Sequence, residues 1–147
     1  MTERRVILVL SGPNLNLLGQ REPEFYGRQT LDDHLAAARQ AADAAGFDIE
    51  HLQSNAEGEL IDAIQVARGR CAAIVVNPGA FGHYAWGLHD ALATFDGPVV
   101  EVHISNPNAR ERWRHTSVVA PAATGTIAGF GGHGYVLAVE AVRQLLA

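Results

Sequence analysis

Short apolar runs alternate along the chain with longer stretches in which apolar residues recur at helical spacing. The short runs, rich in β-branched residues, predict five strands at residues 6–10, 47–53, 72–76, 99–103 and 126–129. The helical spacing predicts four helices near residues 30–46, 57–70, 84–94 and 135–146, the first with Thr30 as its N-cap and Gly46 as its end. Strands and helices that alternate in this way indicate a parallel sheet covered by helices on both faces.

The order of these elements restricts the topology. Crossovers between parallel strands are right-handed, and with five strands this favours the flavodoxin-like strand order 2-1-3-4-5. We therefore expect an α/β fold, with a doubly wound, five-stranded parallel sheet inside a three-layer sandwich. A length of 147 residues suffices to bury one core, so residues 1–147 are predicted to form a single domain.

The composition narrows the range of partners. A net charge of −5 argues against nucleic acid, which binds clusters of Lys and Arg. No apolar stretch reaches the ~18 residues needed to span a bilayer, and no cleavage-like site follows the first residues, so we expect a cytoplasmic protein without a membrane partner. All 11 basic side chains are Arg, which leaves no lysine amine for a Schiff base.

Histidine and cysteine give no sign of a metal site. The seven histidines lack the i, i+4 or His-x-His spacing of zinc ligands, so we expect no metal. We expect His34 and His51 to be solvated. The single cysteine, Cys71, is expected to be a small buried residue at the start of a strand.

Polar residues follow every predicted strand. Because ligands of open α/β sheets bind at the carboxyl ends of the strands, these segments are predicted to ring one pocket that suits a small polyhydroxylated ligand. Arg21, Arg110 and Arg114 lie in flanking loops, where they can clamp a carboxylate. The alternative is that each Asn or Ser only caps a turn or a helix. The five segments are 11–16, 53–55, 77–79, 101–106 and 129–134.

Two groups of residues suggest acid–base chemistry. Glu101 and His103 are two apart on one strand, so their side chains share a face, and the carboxylate can orient the imidazole as a proton donor. Tyr26 lies near Arg21 and Arg28 in a loop of about twenty residues, and loops longer than about 12 to 15 residues are usually functional lids. Two arginines favour a phenolate, so Tyr26 is a candidate base. The alternatives are that His103 is a structural histidine with its hydrogen bonds satisfied, and that Tyr26 is an aromatic residue that anchors the loop.

Two other classes of α/β protein share parts of this pattern. Gly129-x-Gly131-x-x-Gly134 matches the dinucleotide fingerprint, but too few residues follow for the acidic residue and second strand that complete it, so we expect no nicotinamide cofactor. A phospho-receiver domain needs clustered acids at the ends of strands one and three to bind Mg²⁺. This chain has Ser11 and Asn77 there.

Several motifs that are weak singly follow one another along the chain: 11–19 (SGPNLNLLG), 21–23 with 26–27, 53–55 with 57–62, 77–80, 90–92 and 101–106 (EVHISN). In order and spacing they resemble the type II 3-dehydroquinate dehydratases, over essentially the whole chain. The resemblance implies a hydro-lyase without a cofactor that converts 3-dehydroquinate to 3-dehydroshikimate through an enolate, in the shikimate pathway of aromatic amino-acid biosynthesis. It also implies trimers assembled into dodecamers.

The resemblance further implies a role for each matching residue. Tyr26 is implied as the base that removes the C2 proton, with Arg21 and Arg110 beside it. His103, oriented by Glu101, is implied as the acid that protonates the departing C1 hydroxyl. The other implied site residues are Asn14, which helps to hold a water against the enolate oxygen, and the substrate-binding Asn77, His83, Asp90, Ile104, Ser105 and Arg114. Among these, Arg114 is expected to pair with the substrate carboxylate and Asp90 to reach the site of a neighbouring subunit.

The chain departs from the family pattern around the rim of the expected pocket. The departures are at Ala56, Gly82, Tyr84, Ala85, His89 and Pro107. They bear on substrate affinity and assembly more than on the chemistry, so a homologous dehydratase of a related cyclic polyol ketone, or a catalytically inactive binding relative, is kept as the alternative. The absence of Lys excludes the lysine-imine route of the unrelated type I dehydratases.

Overall fold

Five parallel strands form a single sheet in a computed structural model that describes residues 3–147. The strand order is β2-β1-β3-β4-β5, so the predicted topology is confirmed. The pairing is in parallel register throughout, with Ser11 of β1 opposite Asn77 of β3. The strands are β1 (Arg5–Ser11), β2 (Phe47–Gln53), β3 (Ala73–Asn77), β4 (Val99–His103) and β5 (Gly125–Ala128).

Helices cover both faces of the sheet and form two apolar layers. Along β1, Ile7 and Val9 pack into one layer, and Leu8 and Leu10 pack into the other, as the alternation of side chains along a strand requires. The first layer contains α2 and α5 and the second contains α3 and α4. The helices are α1 (Pro23–Tyr26), α2 (Leu31–Ala44), α3 (Glu57–Ala67), α4 (Trp86–Ala93) and α5 (His133–Leu145). The three-layer α/β sandwich is therefore confirmed.

Local sequence explains where the helices begin and end. At α2, the Thr30 hydroxyl accepts from Asp33 N at 3.1 Å and the Asp33 carboxylate accepts from Thr30 N at 2.9 Å, a reciprocal capping box. The helix α3 ends at Ala67, short of the predicted Arg70, because Gly69 has a φ of +73°. The helix α4 begins at Trp86, because a 3₁₀ turn over Gly79–His83 takes up the residues before it.

Two histidines that were expected to be solvated are not. His34 is only 4% exposed, because it falls on the buried stripe of α2 and stacks on Tyr135 of α5 at 6.1 Å between ring centroids. His51 is half-buried near the end of β2, where its Nε2 lies 3.0 Å from the Ser11 hydroxyl. Burial, together with the positive charge of Arg39, lowers the pKa of His51 to about 4.

Two further expectations concern exposure. Cys71 is only partly buried and lies two residues before the first residue of β3, so the expectation of a buried residue at the start of a strand was wrong. Within residues 3–147, every helix is too short or too polar to cross a membrane.

Candidate active site

A cavity of about 250 Å³ opens at the carboxyl edge of the sheet. Its walls come from the segments that follow β1, β3 and β4 and from the long loop between β1 and α2. Ten of the twelve site residues expected from the sequence line it: Asn14, Arg21, Tyr26, Asn77, His83, His103, Ile104, Ser105, Arg110 and Arg114. Of the other two, Glu101 lies buried behind His103 and Asp90 lies outside the cavity of its own chain.

The expectation that all five strand ends ring one pocket was wrong for two strands. The segment after β2 supports the cavity from behind, because the Asn55 side chain accepts a hydrogen bond from Asn14 N at 3.0 Å. The segment after β5, with Gly129 and Gly131, lines a separate cleft of about 380 Å³. Tyr26 and Arg110 line both spaces, so the lid lies between the cavity and the cleft.

The floor of the cavity is made by two turns that pack against each other. A Cβ on Gly12 would lie 2.1 Å from the carbonyl oxygen of Pro78, so only glycine fits there. In the second turn, Gly79 has a φ of +58° and lies against Pro13 of the first turn. The same close approach brings the segments after β1 and β3 together and holds Asn14 and Asn77 at the cavity.

Two arginines surround the Tyr26 hydroxyl. Arg110 donates to it from Nη1 at 2.6 Å, and Arg21 lies farther away, with Nη2 at 3.5 Å and its guanidinium 4.5 Å from the ring centroid. Arg110 also pairs with Glu22 at 3.1 Å, although its side chain is only 3% exposed. The loop sequence suggested Arg28 as the second arginine beside Tyr26, whereas the family resemblance implied Arg110. Arg28 lines the cleft on the other side of the lid.

A buried carboxylate holds the histidine of β4. Glu101 is fully buried, and its Oε2 lies 2.5 Å from His103 Nε2. Ser117 donates to the same oxygen at 2.8 Å and Thr126 donates to the other oxygen at 3.3 Å. Burial raises the pKa of the Glu101 carboxyl, but the hydrogen bonds and the charge of His103 outweigh it, so the pKa is lowered and the group stays ionised. Nδ1 is then the imidazole nitrogen left for a ligand in the cavity.

The opposite wall carries further polar groups. His83 donates from Nδ1 to the Thr116 carbonyl at 2.8 Å, which leaves Nε2 free of that bond. Arg114 pairs through Nε with Glu111, and its guanidinium stacks on Trp113 at 4.0 Å. The pairing occupies one edge of the Arg114 fork, so its remaining N–H groups are those available to a ligand.

Asp90 projects from α4 away from the cavity of its own chain. Its side chain is 82% exposed and hydrogen-bonds to His89 Nδ1 at 3.0 Å. A role at the site of another subunit therefore depends on assembly.

Sequence reasoning missed four residues that support the site: Tyr135, Trp113, Ser117 and Thr126. Tyr135 falls in the last predicted helix, where the helical spacing of apolar residues predicts only a packing role for it. Its hydroxyl was the available signal, because a buried tyrosine needs a hydrogen-bond partner. Ser117 and Thr126 gave no local signal, since their contact with Glu101 is made only by the fold.

The cavity is rich in cationic side chains. Arg21, Arg110 and Arg114 line it, and the arrangement suits an anionic ligand. Over residues 3–147, no three His, Cys, Asp or Glu side chains converge in a way that could hold a metal ion.

Comparison with known proteins gives one consistent result. The profile of the family described as dehydroquinase class II matches residues 5–143. The chain is 50% identical to 3-dehydroquinate dehydratase 1 of Agrobacterium fabrum over 142 residues, which cover 97% of this chain and 98% of the relative. It is 52% identical to 3-dehydroquinate dehydratase 2 of Pseudomonas putida over 141 residues, with 96% and 95% covered.

A solved structure supports the same assignment. The type II dehydroquinase of Propionibacterium acnes superposes with a TM-score of 0.92 at 42% identity, covering 98% of this chain and 99% of the other. Sequence, fold and cavity thus agree over nearly the full length. The chain belongs to the class II dehydroquinase family.

Proposed function

We propose that this chain is a hydro-lyase that eliminates water from 3-dehydroquinate to give 3-dehydroshikimate. One observation carries the proposal: a tyrosine hydroxyl held by arginine and a histidine held by a buried carboxylate line the same cavity. These are the two groups that a proton abstraction followed by loss of hydroxide requires. The proposed steps need only proton transfers between side chains and substrate.

In the first step, Tyr26 acts as a phenolate and removes the proton at C2, next to the carbonyl. Arg110 donates to the Tyr26 hydroxyl oxygen at 2.6 Å and Arg21 lies above the ring, so two guanidinium groups lie beside the oxygen that carries the negative charge. The electron pair of the broken C–H bond moves onto the carbonyl oxygen and forms an enolate. Asn14 assists by helping to hold a water against that oxygen, and its backbone is braced by Asn55.

In the second step, the enolate collapses and expels the C1 hydroxyl. His103 donates its Nδ1 proton to the leaving oxygen, so that water departs and the C1–C2 double bond forms. Glu101 compensates the positive charge on the imidazole before the transfer and holds Nε2 in place afterwards. The proton taken from C2 is then on Tyr26 and the acid proton is on the product water.

Binding of the substrate uses the rest of the cavity. We assign its carboxylate to Arg114 and Ser105, and its hydroxyls to Asn77 and His83, with Ile104 as the apolar contact in the β4 segment. A small hydroxylated carboxylate matches the cationic and amide-rich lining better than an apolar ligand does.

The test is a spectrophotometric assay of the purified protein with 3-dehydroquinate that follows the conjugated product. We expect turnover that survives treatment with borohydride, since no lysine is present to form an imine that borohydride can trap. If a folded protein gives no turnover, the elimination of water from 3-dehydroquinate is refuted. A screen of related cyclic polyol ketones then separates a changed substrate from an inactive relative.

We also propose that the chain assembles into trimers that form a dodecamer, and that it works in the cytoplasm. Exposed groups on and beside α4 support the assembly: the side chain of Asp90 is 82% exposed and Trp86 is 60% exposed. A second copy would cover this surface and bring Asp90 to the cavity of its neighbour.

A further inference from the structure

We propose that Ser117 is a positioning residue, whose hydroxyl holds the Glu101 carboxylate against His103 and so keeps the proton donor of the elimination in place. The inference rests on the proposed function, because His103 is assigned there to the departing hydroxyl. Ser117 lies in the segment between β4 and β5, outside the cavity of about 250 Å³, and acts only through Glu101.

A second contact of Ser117 fixes the direction of its hydrogen bond. Ala120 N donates to Ser117 Oγ at 3.0 Å, and Ser117 Oγ lies 2.8 Å from Glu101 Oε2. A backbone N–H can only donate and an ionised carboxylate can only accept, so the hydroxyl accepts from Ala120 and gives its hydrogen to Glu101. Because Glu101 is fully buried, bulk water cannot replace this donor.

The backbone on both sides of Ser117 holds it in position. The Thr116 carbonyl accepts from His83 Nδ1 at 2.8 Å, and Val118 N donates to the Gly82 carbonyl at 2.7 Å. Both bonds tie this segment to the 3₁₀ turn before α4, which contributes one wall of the cavity. The hydroxyl of Ser117 therefore has a fixed place beside the buried carboxylate.

The donors around the Glu101 carboxylate divide between its two oxygens. His103 and Ser117 both contact Oε2, whereas Thr126 donates to Oε1 at 3.3 Å. Burial raises the pKa of the Glu101 carboxyl, and the hydrogen bond and charge of His103, followed by the hydrogen bonds from Ser117 and Thr126, lower it. Loss of the Ser117 hydroxyl should thus release the oxygen that faces His103 and move the pKa of Glu101 upward.

Other titratable or charged groups lie near the pair but bond elsewhere. A cavity of about 110 Å³ is lined by Glu101 and His103 and also by His83, Arg114 and His115. The last three have their hydrogen-bond partners on other residues. Removal of the serine hydroxyl leaves all of these groups in place, so a changed pH dependence would report on the carboxylate itself.

A double-mutant cycle tests the proposal. In the otherwise unchanged enzyme, Ser117→Ala should lower kcat by about 10-fold, roughly what one hydrogen bond to a charged group contributes, with KM changed by less than about 2-fold. The acid limb of the kcat profile should move up by about one pH unit, because Glu101 takes up its proton more readily. In a Glu101→Gln background, Ser117→Ala should change kcat by less than about 2-fold, because the charge it acts on is gone.

Three further variants complete the design. Ser117→Thr keeps the hydroxyl and should retain most of kcat. Thr94→Val removes a hydroxyl that donates to the Ala91 carbonyl at 2.7 Å, just after α4, and should leave kcat and the acid limb unchanged. If Ser117→Ala fails to fold, Thr126→Val removes the longer bond to the other carboxylate oxygen and should move the acid limb in the same direction by a smaller amount.

Equal losses of kcat in the two backgrounds, a change confined to KM, or an unmoved acid limb would overturn the proposal. A ¹³C NMR titration of the glutamate carboxyls gives a second test that needs no turnover. The signal that is absent from Glu101→Gln should titrate at a higher pH in Ser117→Ala, and an unmoved signal contradicts the inference. Failure of the proposed function is distinguishable, since the unmodified protein itself would then not turn over 3-dehydroquinate.

Discussion

At the scale of single residues, the cavity keeps its proposed base and acid in different surroundings. Tyr26 lies among arginines at the lid, whereas His103 is held by the buried carboxylate of Glu101. The proposed base therefore faces cationic groups and the proposed acid faces an anionic group.

Replacement of Tyr26 separates chemistry from binding. We expect Tyr26→Phe to lower kcat by about 10⁴-fold, the upper end of what a positioned base contributes. The dissociation constant of the product should change by less than about 3-fold, because the proposed carboxylate and hydroxyl contacts lie elsewhere. Steady-state kinetics and calorimetric titration measure the two quantities, and undiminished turnover would remove Tyr26 as the base.

Replacement of His103 or of Glu101 should lower kcat, by different amounts. His103→Ala should reduce kcat by about 10²- to 10⁴-fold because the leaving hydroxyl loses its proton donor. Glu101→Gln keeps the size of the side chain but removes its charge, so its loss should be smaller than that of His103→Ala. Kinetic assays of both variants check this order, and a loss below tenfold for His103→Ala contradicts the acid role.

His51 makes stability depend on pH. Its pKa is lowered from the usual 6.5 to about 4, so between these values the unfolded chain binds a proton that the folded protein does not. Stability is therefore fully present above pH 6.5 and falls as the pH drops toward 4. We expect roughly 1 to 2 kcal/mol from this group, since partial exposure screens the effect.

Urea denaturation at pH 7 and pH 4.5 measures this contribution. His51→Gln should reduce the difference in unfolding free energy between the two pH values. His34 is also buried with a lowered pKa, so part of the difference should remain. An unchanged difference in the variant would show that His51 does not titrate in this range.

At the scale of elements, α2 packs closely against the start of α5 because Gly132 has no side chain. A Cβ on Gly132 would lie 1.8 Å from His34 Nδ1, so the imidazole occupies the space that any larger residue would need. Gly132→Ala should therefore destabilise the protein by about 1 to 3 kcal/mol, as overpacking of a core does.

The matched controls for that substitution lie in the same chain. His34→Ala combined with Gly132→Ala should recover most of the loss, because the space is vacated. Gly125→Ala should cost little through contacts, since nothing lies within 4 Å of a Cβ there. Thermal unfolding of the three variants measures the effect, and equal stability of Gly132→Ala and the parent would contradict the fit.

The elements also show what sequence patterns can and cannot predict. The run 6–10 and the Thr30–Asp33 pair predicted a strand and a helix start because they depend on neighbours in the chain. His34 was misassigned because a polar residue on a buried stripe looks like a surface residue until its partner, Tyr135, is known. The pairing of Tyr26 with Arg110 joins residues 84 positions apart, so local sequence pointed to Arg28 instead.

Sequence motifs predicted most of the residues that line the cavity, but only the fold shows which side chains contact one another there. The strand ends directed attention to the right edge of the sheet, but they could not tell that the lid separates the β5 loop from the cavity. That separation depends on where the long loop lies, which no periodicity encodes.

At the scale of the whole molecule, the proposed assembly makes the site a shared one. If Asp90 serves the neighbouring cavity, Asp90→Ala and Tyr26→Phe each inactivate a different part of a composite site. Mixed oligomers of the two variants should regain activity, because some cavities then combine an unmodified Tyr26 with an unmodified Asp90.

Light scattering and an activity assay after dissociation and remixing measure that recovery. Remixed samples of each variant alone are the controls and should stay at their starting activity. A monomer in light scattering, or no recovery in a mixed oligomer, would exclude the shared site.

The two turns at the cavity floor have a consequence for how substrate preference can evolve. Gly12 and Gly79 each lie against the proline of the other turn, so a side chain at Gly12 would clash with backbone and one at Gly79 would be strained. Changes of substrate preference are therefore expected among the side chains of the lid and of the cavity walls rather than at these two glycines.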